Sequence, residues 1–184
     1  MQPFITFLTS TFRRPAGLAA CLASVGEQTA VEHIEHIVLP DHVGRGIVGG
    51  LFERLPQYAD AVHGRYVHLL GDDDVLADRT VVERVMAFAD AHDHPPLILV
   101  EAKKGPWFLP APGEPWPPRL GRVDLGCVIT RADVWREHVG SYGKRYEGDF
   151  DFLLALYAAG IEAEFCDVLF MFGPIGAGRA EAAA

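Results

Sequence analysis

The sequence predicts an α/β protein with a mostly parallel central sheet flanked by helices. Short apolar runs of strand length alternate along the chain with segments whose apolar residues recur at helical spacing. This alternation is typical of strands and helices built around a largely parallel sheet. The 184 residues suffice for one domain with a substantial core but not for two ordinary ones. We therefore expect a single domain over residues 1–175 and a Gly/Ala-rich tail, residues 176–184, without order.

The predicted strands are the short apolar runs, several rich in β-branched or aromatic residues. In chain order they cover residues 4–9, 34–39, 65–70 and 97–101, and then segments near 127–130 and 164–172. Between the fourth and fifth strands, residues 104–118 form a Pro-rich stretch that carries Trp107 and Trp116, and we expect a loop there.

The predicted helices are marked by their start and stop residues. Pro15 suits the first turn of a helix, and Asp78 is a candidate N-cap for a helix that ends near Ala91. The latter would be buried through Val81 or Val82, Val85 and Phe88. The remaining predicted helical segments are part of residues 47–63 with a break at Pro56, a short helix around Trp135, and residues 149–159 stopped by Gly160.

Composition and charge exclude several classes of protein. Hydrophobic residues make up 49% and charged residues 22% of the chain, the balance of a soluble globular protein. A net charge of −9 with scattered basic residues argues against nucleic acid as a partner. The three cysteines are far apart, which fits reduced thiols better than disulfides or zinc. No apolar run approaches the roughly 18 residues of a membrane span, and no secretory signal pattern is present. We expect a cytoplasmic protein.

Three consecutive aspartates, Asp72, Asp73 and Asp74, follow the third predicted strand directly. Such a cluster is costly without a counter-ion, because the carboxylates repel one another. Mn²⁺ or Mg²⁺ would neutralise it, since hard cations take oxygen ligands and share them with a diphosphate. Alternation along an extended strand would place Asp72 and Asp74 on one face. The simpler interpretation is an acidic turn before the next helix; the buried pattern of the preceding strand disfavours it.

Two further acidic positions are candidates for chemistry. Asp41 follows the second strand, where an acid can accept hydrogen bonds from a base or a ribose, although Pro-Asp is also a common turn. Asp149 and Asp151 begin a predicted helix, where an acid is an ordinary N-terminal choice. A carboxylate there could also be the general base that deprotonates an acceptor hydroxyl. Spacing alone does not separate Asp149 from Asp151.

Taken together, these segments resemble the glycosyltransferases of family 2, which have the GT-A fold and use nucleotide diphosphate sugars. The matching segments, in the family's order, are residues 5–15 (ITFLTSTFRRP), 18–29, 34–41, 64–74 (GRYVHLLGDDD), 126–135, 139–142 and 148–152 (GDFDF). The resemblance spans residues 4–172. It implies metal-dependent transfer of a sugar, with a UDP-sugar favoured as donor, to a hydroxyl acceptor whose identity stays open.

The resemblance also implies roles for individual residues. Asp41 would bind the base, with Thr9 and Thr11 at the same end and Arg45 near the nucleotide. The family's D-x-D motif falls on residues 71–73. Asp73 is then the foremost metal ligand, Asp72 a ribose or metal contact, and Asp74 lies just outside this register. Asp149 matches the catalytic base of inverting members.

The sequence departs from the family at three places. Asp41 stands in Pro-Asp-His-Val instead of "DDGS", Gly148 replaces the Glu of "ED", and no histidine follows His138. The missing Glu, together with a chain that is short for the family, makes a non-catalytic module that binds nucleotide sugars the main alternative. A phosphatase that uses Asp72 and Asp74 is a weaker one.

Overall fold

A mixed sheet of eight strands runs through the part of the chain that the computed structural model describes, residues 2–42, 44, 50–110 and 116–174. In space the strands lie in the order β2-β1-β3-β7-β5-β8-β4, and β6 pairs with β5. The strands are β1 (Ile5–Thr11), β2 (Ile34–Pro40), β3 (Tyr66–Leu69), β4 (Val75–Leu76), β5 (Leu97–Lys104), β6 (Trp107–Leu109), β7 (Val128–Arg131) and β8 (Ala163–Gly173).

Helices connect these strands and cover the sheet. They are α1 (Pro15–Gly26), α2 (Phe52–Arg54), α3 (Val81–Ala91), α4 (Ala132–His138) and α5 (Gly148–Ala158), with short 3₁₀ turns that include Leu55–Ala61 and Leu125–Cys127. Pro15 opens α1 as predicted, and Gly160, with a φ of +76°, follows the end of α5 in the left-handed region that favours glycine. Within the described residues, no helix has the length and apolar character that crossing a bilayer requires.

The sheet is mixed, which corrects the prediction of a mostly parallel one. β1 runs parallel to β2 and β3, and β5 runs parallel to β8. β7 lies antiparallel between β3 and β5, and β4 and β6 are antiparallel to β8 and β5. Apolar periodicity could not reveal this, because a strand buried on both faces looks the same in either direction.

These strand directions define two edges of the sheet. β1, β2, β3, β5 and β8 all end at one edge, and the antiparallel β7 begins there. We call this the carboxyl edge; the opposite one, where β7 ends, is the amino edge. Residues that follow β1, β2, β3 and β5, or precede β7, therefore gather at the carboxyl edge, where open α/β sheets bind ligands.

Tightly packed aromatic rings occupy the centre of the sheet. Phe7 of β1 contacts His68 of β3 edge-on, with ring centroids 5.7 Å apart, and Phe170 of β8 contacts His68 at 5.1 Å. His68 bonds through Nδ1 to the Val128 carbonyl at 2.9 Å, and burial lowers its pKa to about 4. It is therefore a neutral core residue that ties β3 to β7.

Several predicted details differ from the structure. The helix predicted to start at an Asp78 cap begins at Val81, and Asp78 instead accepts hydrogen bonds from the backbone N and the hydroxyl of Thr80, both at 2.8 Å. On this helix Ala89 takes the buried position expected of Phe88, which is half-buried. The Pro-rich stretch predicted as a loop contains β6, which pairs with the end of β5.

Candidate active site

The three aspartates leave β3 through a tight turn at the carboxyl edge. The backbone N of Asp74 donates to the carbonyl of Gly71 at 3.1 Å, and Gly71 N donates to Asp74 Oδ2 at 3.2 Å. This turn ends the alternation of an extended strand. It therefore pairs Asp72 with Asp73, whereas Asp74 contacts a different partner, contrary to what simple alternation favoured.

Asp72 and Asp73 converge on a single cation, the guanidinium of Arg14. Arg14 Nη1 donates to Asp72 Oδ1 at 3.0 Å and to Asp73 Oδ2 at 2.9 Å. The side chains of Arg14 and Asp72 are only 15% and 7% exposed, whereas that of Asp73 is 28% exposed. Burial raises the pKa of Asp72, and hydrogen bonding from Thr11 and the charge of Arg14 oppose that shift. Asp73 is the more accessible of the two carboxylates.

Helix α1 begins directly against these aspartates. Arg14 occupies its N-cap position, and a Cβ on Gly17 would lie 2.7 Å from the carbonyl oxygen of Asp72. Only glycine allows this approach, because such a contact is shorter than van der Waals packing permits. The β1–α1 connection and the aspartate turn therefore form one packed unit.

Asp74 faces a second cation, Lys104 at the end of β5. Lys104 Nζ lies 2.7 Å from Asp74 Oδ1 and 3.5 Å from Oδ1 of Asp124, which precedes β7. Burial raises the pKa of Asp74 to about 6 in spite of the nearby ammonium. Burial disfavours the charge of Lys104, yet Asp124 and Asp74 raise its pKa overall. The lysine thus holds together two carboxylates that come from distant parts of the chain.

Three of the residues predicted to bind a nucleotide, Thr9, Thr11 and Asp41, lie on or just after β1 and β2. Asp41 is buried, donates its backbone N to the Thr11 carbonyl at 2.8 Å, and accepts from Gly44 N at 3.0 Å. Thr11, the last residue of β1, is half-buried at the carboxyl edge of the sheet. Thr9 is fully buried, and its hydroxyl lies 2.8 Å from His36 Nε2. The predicted Arg45 lies outside the described residues.

Asp149 and Asp151, which spacing could not separate, have different surroundings at the start of α5. Asp149 is half-buried, and burial together with the charges of Asp124 and Glu147 raises its pKa to about 6. Asp151 forms a two-point ion pair with Arg145, which lowers its pKa. Of these two acids, only Asp149 has the raised pKa of a group suited to proton transfer near neutral pH.

Sequence reasoning missed Lys104 and Asp124. Lys104 was placed at the start of a loop, and Asp124 lay in a segment without a predicted element. Lys104 contacts both Asp74 and Asp124 because β5, β7 and β3 end or begin at the same edge. The sequence carries no local signal for this contact.

The donor set at Asp72 and Asp73 fits a hard divalent cation in part. In the described residues, no group of three or more His, Cys, Asp or Glu side chains is arranged to hold a metal ion. Two carboxylate oxygens nevertheless meet within 3.0 Å of one positively charged nitrogen of Arg14. Mg²⁺ and Mn²⁺ are often held by one or two carboxylates, with substrate phosphates and water completing the shell.

The likeness of the chain to solved structures shows a GT-A-like fold, the class of fold found in glycosyltransferases. The solved structures that resemble the chain include those of S. aureus TarS. Residues 1–349 of TarS in complex with UDP match with a TM-score of 0.67 and 13% sequence identity, over 95% of this chain and 61% of that one. The same protein in complex with UDP-GlcNAc matches with a TM-score of 0.66 and 13% identity, over 100% and 61% of the two chains.

The chain thus spans about three fifths of the length of the TarS 1–349 chains. No protein-family model and no curated protein sequence matches it. The likeness at this level of identity establishes the fold.

Proposed function

We propose that this protein is a glycosyltransferase that moves a sugar from a nucleotide diphosphate sugar, with a UDP-sugar favoured, to a hydroxyl acceptor. One observation carries the proposal: on a GT-A-like fold, Lys104 joins the aspartate turn to Asp124, and the charge of Asp124 also acts on Asp149, an acid with a raised pKa. The TarS complexes with UDP and UDP-GlcNAc support the choice of donor.

The nucleotide would lie along the ends of β1 and β2. Asp41 would accept hydrogen bonds from the base, and Asp72 and Thr11 would contact the ribose. Thr9 is fully buried and would not touch the nucleotide; its hydrogen bond to His36 would instead hold the neighbouring ends of β1 and β2 in position. Arg45 stays a candidate nucleotide contact by its sequence position alone.

A Mn²⁺ or Mg²⁺ ion would be held by Asp73 and Asp72, where it would stabilise the leaving diphosphate as a Lewis acid. Asp74 would support this pair from outside, because its two oxygens already engage Lys104 and Gly71. The Arg14 guanidinium would move away from the two carboxylates when the ion binds. The guanidinium would then be available to the diphosphate, which it can bind with two parallel hydrogen bonds.

Asp149 would act as the general base and take the proton of the acceptor hydroxyl as that oxygen attacks the sugar. Its pKa of about 6 leaves the carboxylate ionised at neutral pH but basic enough to accept a proton. A single direct displacement of this kind inverts the configuration at the anomeric carbon. The acceptor would approach from the side of α5.

A panel of nucleotide sugars with Mn²⁺ tests the proposal, with hydrolysis and transfer to simple hydroxyl acceptors as the readouts. Release of UDP that requires both the metal and Asp149 would support the transferase. Tight, metal-dependent binding of UDP-sugars with no turnover in the whole panel would instead identify a non-catalytic binding module. Release of phosphate from simple phosphate esters would identify the phosphatase.

A further inference from the structure

The amino edge of the sheet, opposite the aspartates, contains a cavity of about 470 Å³ that the proposed transfer reaction does not use. Its lining includes Arg65, which precedes β3, and Arg131, which ends β7. The aspartate turn follows the other end of β3, so this strand separates the two sites. A volume of this size lies in the range of about 300–1,000 Å³ that is usual for small-molecule sites.

Positive charge dominates this lining. It includes three arginines, Arg65, Arg131 and Arg136, against one carboxylate, Asp133. Arg131 is neutralised, because its Nε and Nη2 donate to the two oxygens of Asp133 at 2.7 and 3.0 Å. Two guanidinium charges are left in a protein whose net charge is −9.

Neither remaining guanidinium has a carboxylate within ion-pair distance among the described residues. Arg136 donates from Nε to the Ala59 carbonyl at 3.2 Å and from Nη2 to the Val62 carbonyl at 2.7 Å. These two bonds fix the position of the guanidinium without cancelling its charge.

Arg65 contacts an imidazole instead of a carboxylate. Its Nη1 lies 2.6 Å from Nε2 of His94, which must be unprotonated to accept this hydrogen bond. The Nδ1 of the same ring is buried without a partner within the described structure. The other guanidinium nitrogens of Arg65 bond to no described residue and are therefore available as donors to a ligand.

The backbone around the cavity is tied together before any ligand binds. Arg65 N donates to the Pro3 carbonyl at 3.0 Å, Ala132 N donates to the Arg65 carbonyl at 2.8 Å, and Arg131 N donates to the Pro96 carbonyl at 2.9 Å. Four separate chain segments thus fix the backbone positions of Arg65 and Arg131 relative to each other.

We propose that this cavity binds the phosphate group of a phosphate monoester. Arg65 and Arg136 would share the dianion, and the rest of the cavity would hold the body of the molecule. A phosphate suits the site better than a single carboxylate, because its two charges match two guanidinium groups that have no carboxylate partner among the described residues. The inference does not depend on the proposed transferase activity.

Calorimetric titration with glycerol 3-phosphate tests the site, with glycerol as the uncharged control. We expect saturable binding to the wild type and at least a tenfold loss of affinity in the Arg65→Gln/Arg136→Gln double variant. Arg84→Gln, on α3, and Arg14→Gln, at the aspartates, should bind as the wild type does. Vesicles containing phosphatidic acid, compared with phosphatidylcholine alone, separate a lipid headgroup from a soluble monoester as the source of the phosphate.

Loss of the carbonyl contacts of Arg136 could unfold the variant, so the wild type is also mapped by NMR. Amide shifts on addition of glycerol 3-phosphate should centre on Gly64, Arg65 and Ala132. Binding to acidic vesicles alone, lost in the double variant, would support the site with a lipid source. No binding of either probe, full affinity in the double variant, or equal loss in Arg14→Gln would overturn the proposal.

Discussion

At the scale of single residues, burial separates the two acids at the start of α5. Asp149 is half-buried and has no ion-pair partner in the part of the chain that the structure describes, whereas Asp151 is paired with Arg145. We therefore predict that Asp149→Asn lowers the rate of transfer by about 10²–10⁴-fold, the usual contribution of a general base, with little effect on UDP affinity. Asp151→Asn is the matched control and should keep most of the activity. Equal losses in both variants would contradict the assignment.

The raised pKa of Asp149 also predicts how transfer depends on pH. The base works as a carboxylate, so kcat should fall as the pH drops below about 6, where the carboxyl becomes protonated. A kcat profile from pH 4.5 to 8.5 measures this in the wild type. A profile that stays flat down to pH 5 would exclude Asp149 as the group that titrates.

The raised pKa of Asp149 also predicts how stability depends on pH, and the direction is opposite to that of the activity. The pKa of Asp149 lies above the ordinary value of 3.8 for an aspartate, so the fold favours the protonated acid. The free energy of unfolding should therefore decrease as the pH rises through the interval from about 4 to 6. Asp149→Asn removes this charge and should melt at a higher temperature than the wild type at pH 8. Thermal denaturation at pH 4.5, where the two should differ less, provides the comparison.

Arg14 is the residue whose substitution should strengthen metal binding. Its guanidinium pairs with both Asp72 and Asp73, so a divalent ion must compete with it for these carboxylates. We expect Arg14→Gln to bind Mn²⁺ alone at least several-fold more tightly than the wild type, and UDP with Mn²⁺ less tightly. Arg13→Gln, on the same connection, is the control. If Arg14→Gln binds Mn²⁺ alone no more tightly than the wild type does, Arg14 does not compete with the ion for Asp72 and Asp73.

At the scale of elements, α1 controls the position of the aspartate turn. A methyl group on Gly17 would meet the Asp72 carbonyl at 2.7 Å, whereas one on Gly26 of the same helix meets nothing within 4 Å. We predict that Gly17→Ala lowers the free energy of unfolding by about 1–3 kcal/mol, typical of overpacking, and also weakens UDP binding. Gly26→Ala should stay within about 1 kcal/mol of the wild type. Urea denaturation of both variants measures the difference.

The sequence predicted most elements because their signals are local. Apolar runs located β1, β2, β3 and β5 to within a few residues, and Pro15 and Gly160 marked helix ends by their backbone preferences. Two strands were missed: β4, which has only two residues, and β6, which lies in a stretch rich in proline. Their pairing with β8 and β5 decides their conformation, and periodicity cannot register such a long-range contact.

At the scale of the whole molecule, the direction and order of the strands decide which residues meet. The resemblance to a glycosyltransferase family placed Asp72 and Asp73 in one metal-binding motif and predicted Asp149 as the catalytic base. The contacts of Lys104 with Asp74 and Asp124 required the actual topology, because they join residues on separate strands. The same topology places the arginine cavity at the edge opposite the aspartates. Neither arrangement follows from spacing along the chain.

The central claim is that Asp72 and Asp73 hold a divalent cation together with a nucleotide diphosphate. Calorimetric titration of UDP into the wild type and Asp73→Ala, each with and without Mn²⁺, tests it most directly. The account predicts binding to the wild type that Mn²⁺ strengthens at least tenfold, and a loss of that gain in Asp73→Ala. Metal-dependent UDP binding that persists at full strength in Asp73→Ala would contradict it.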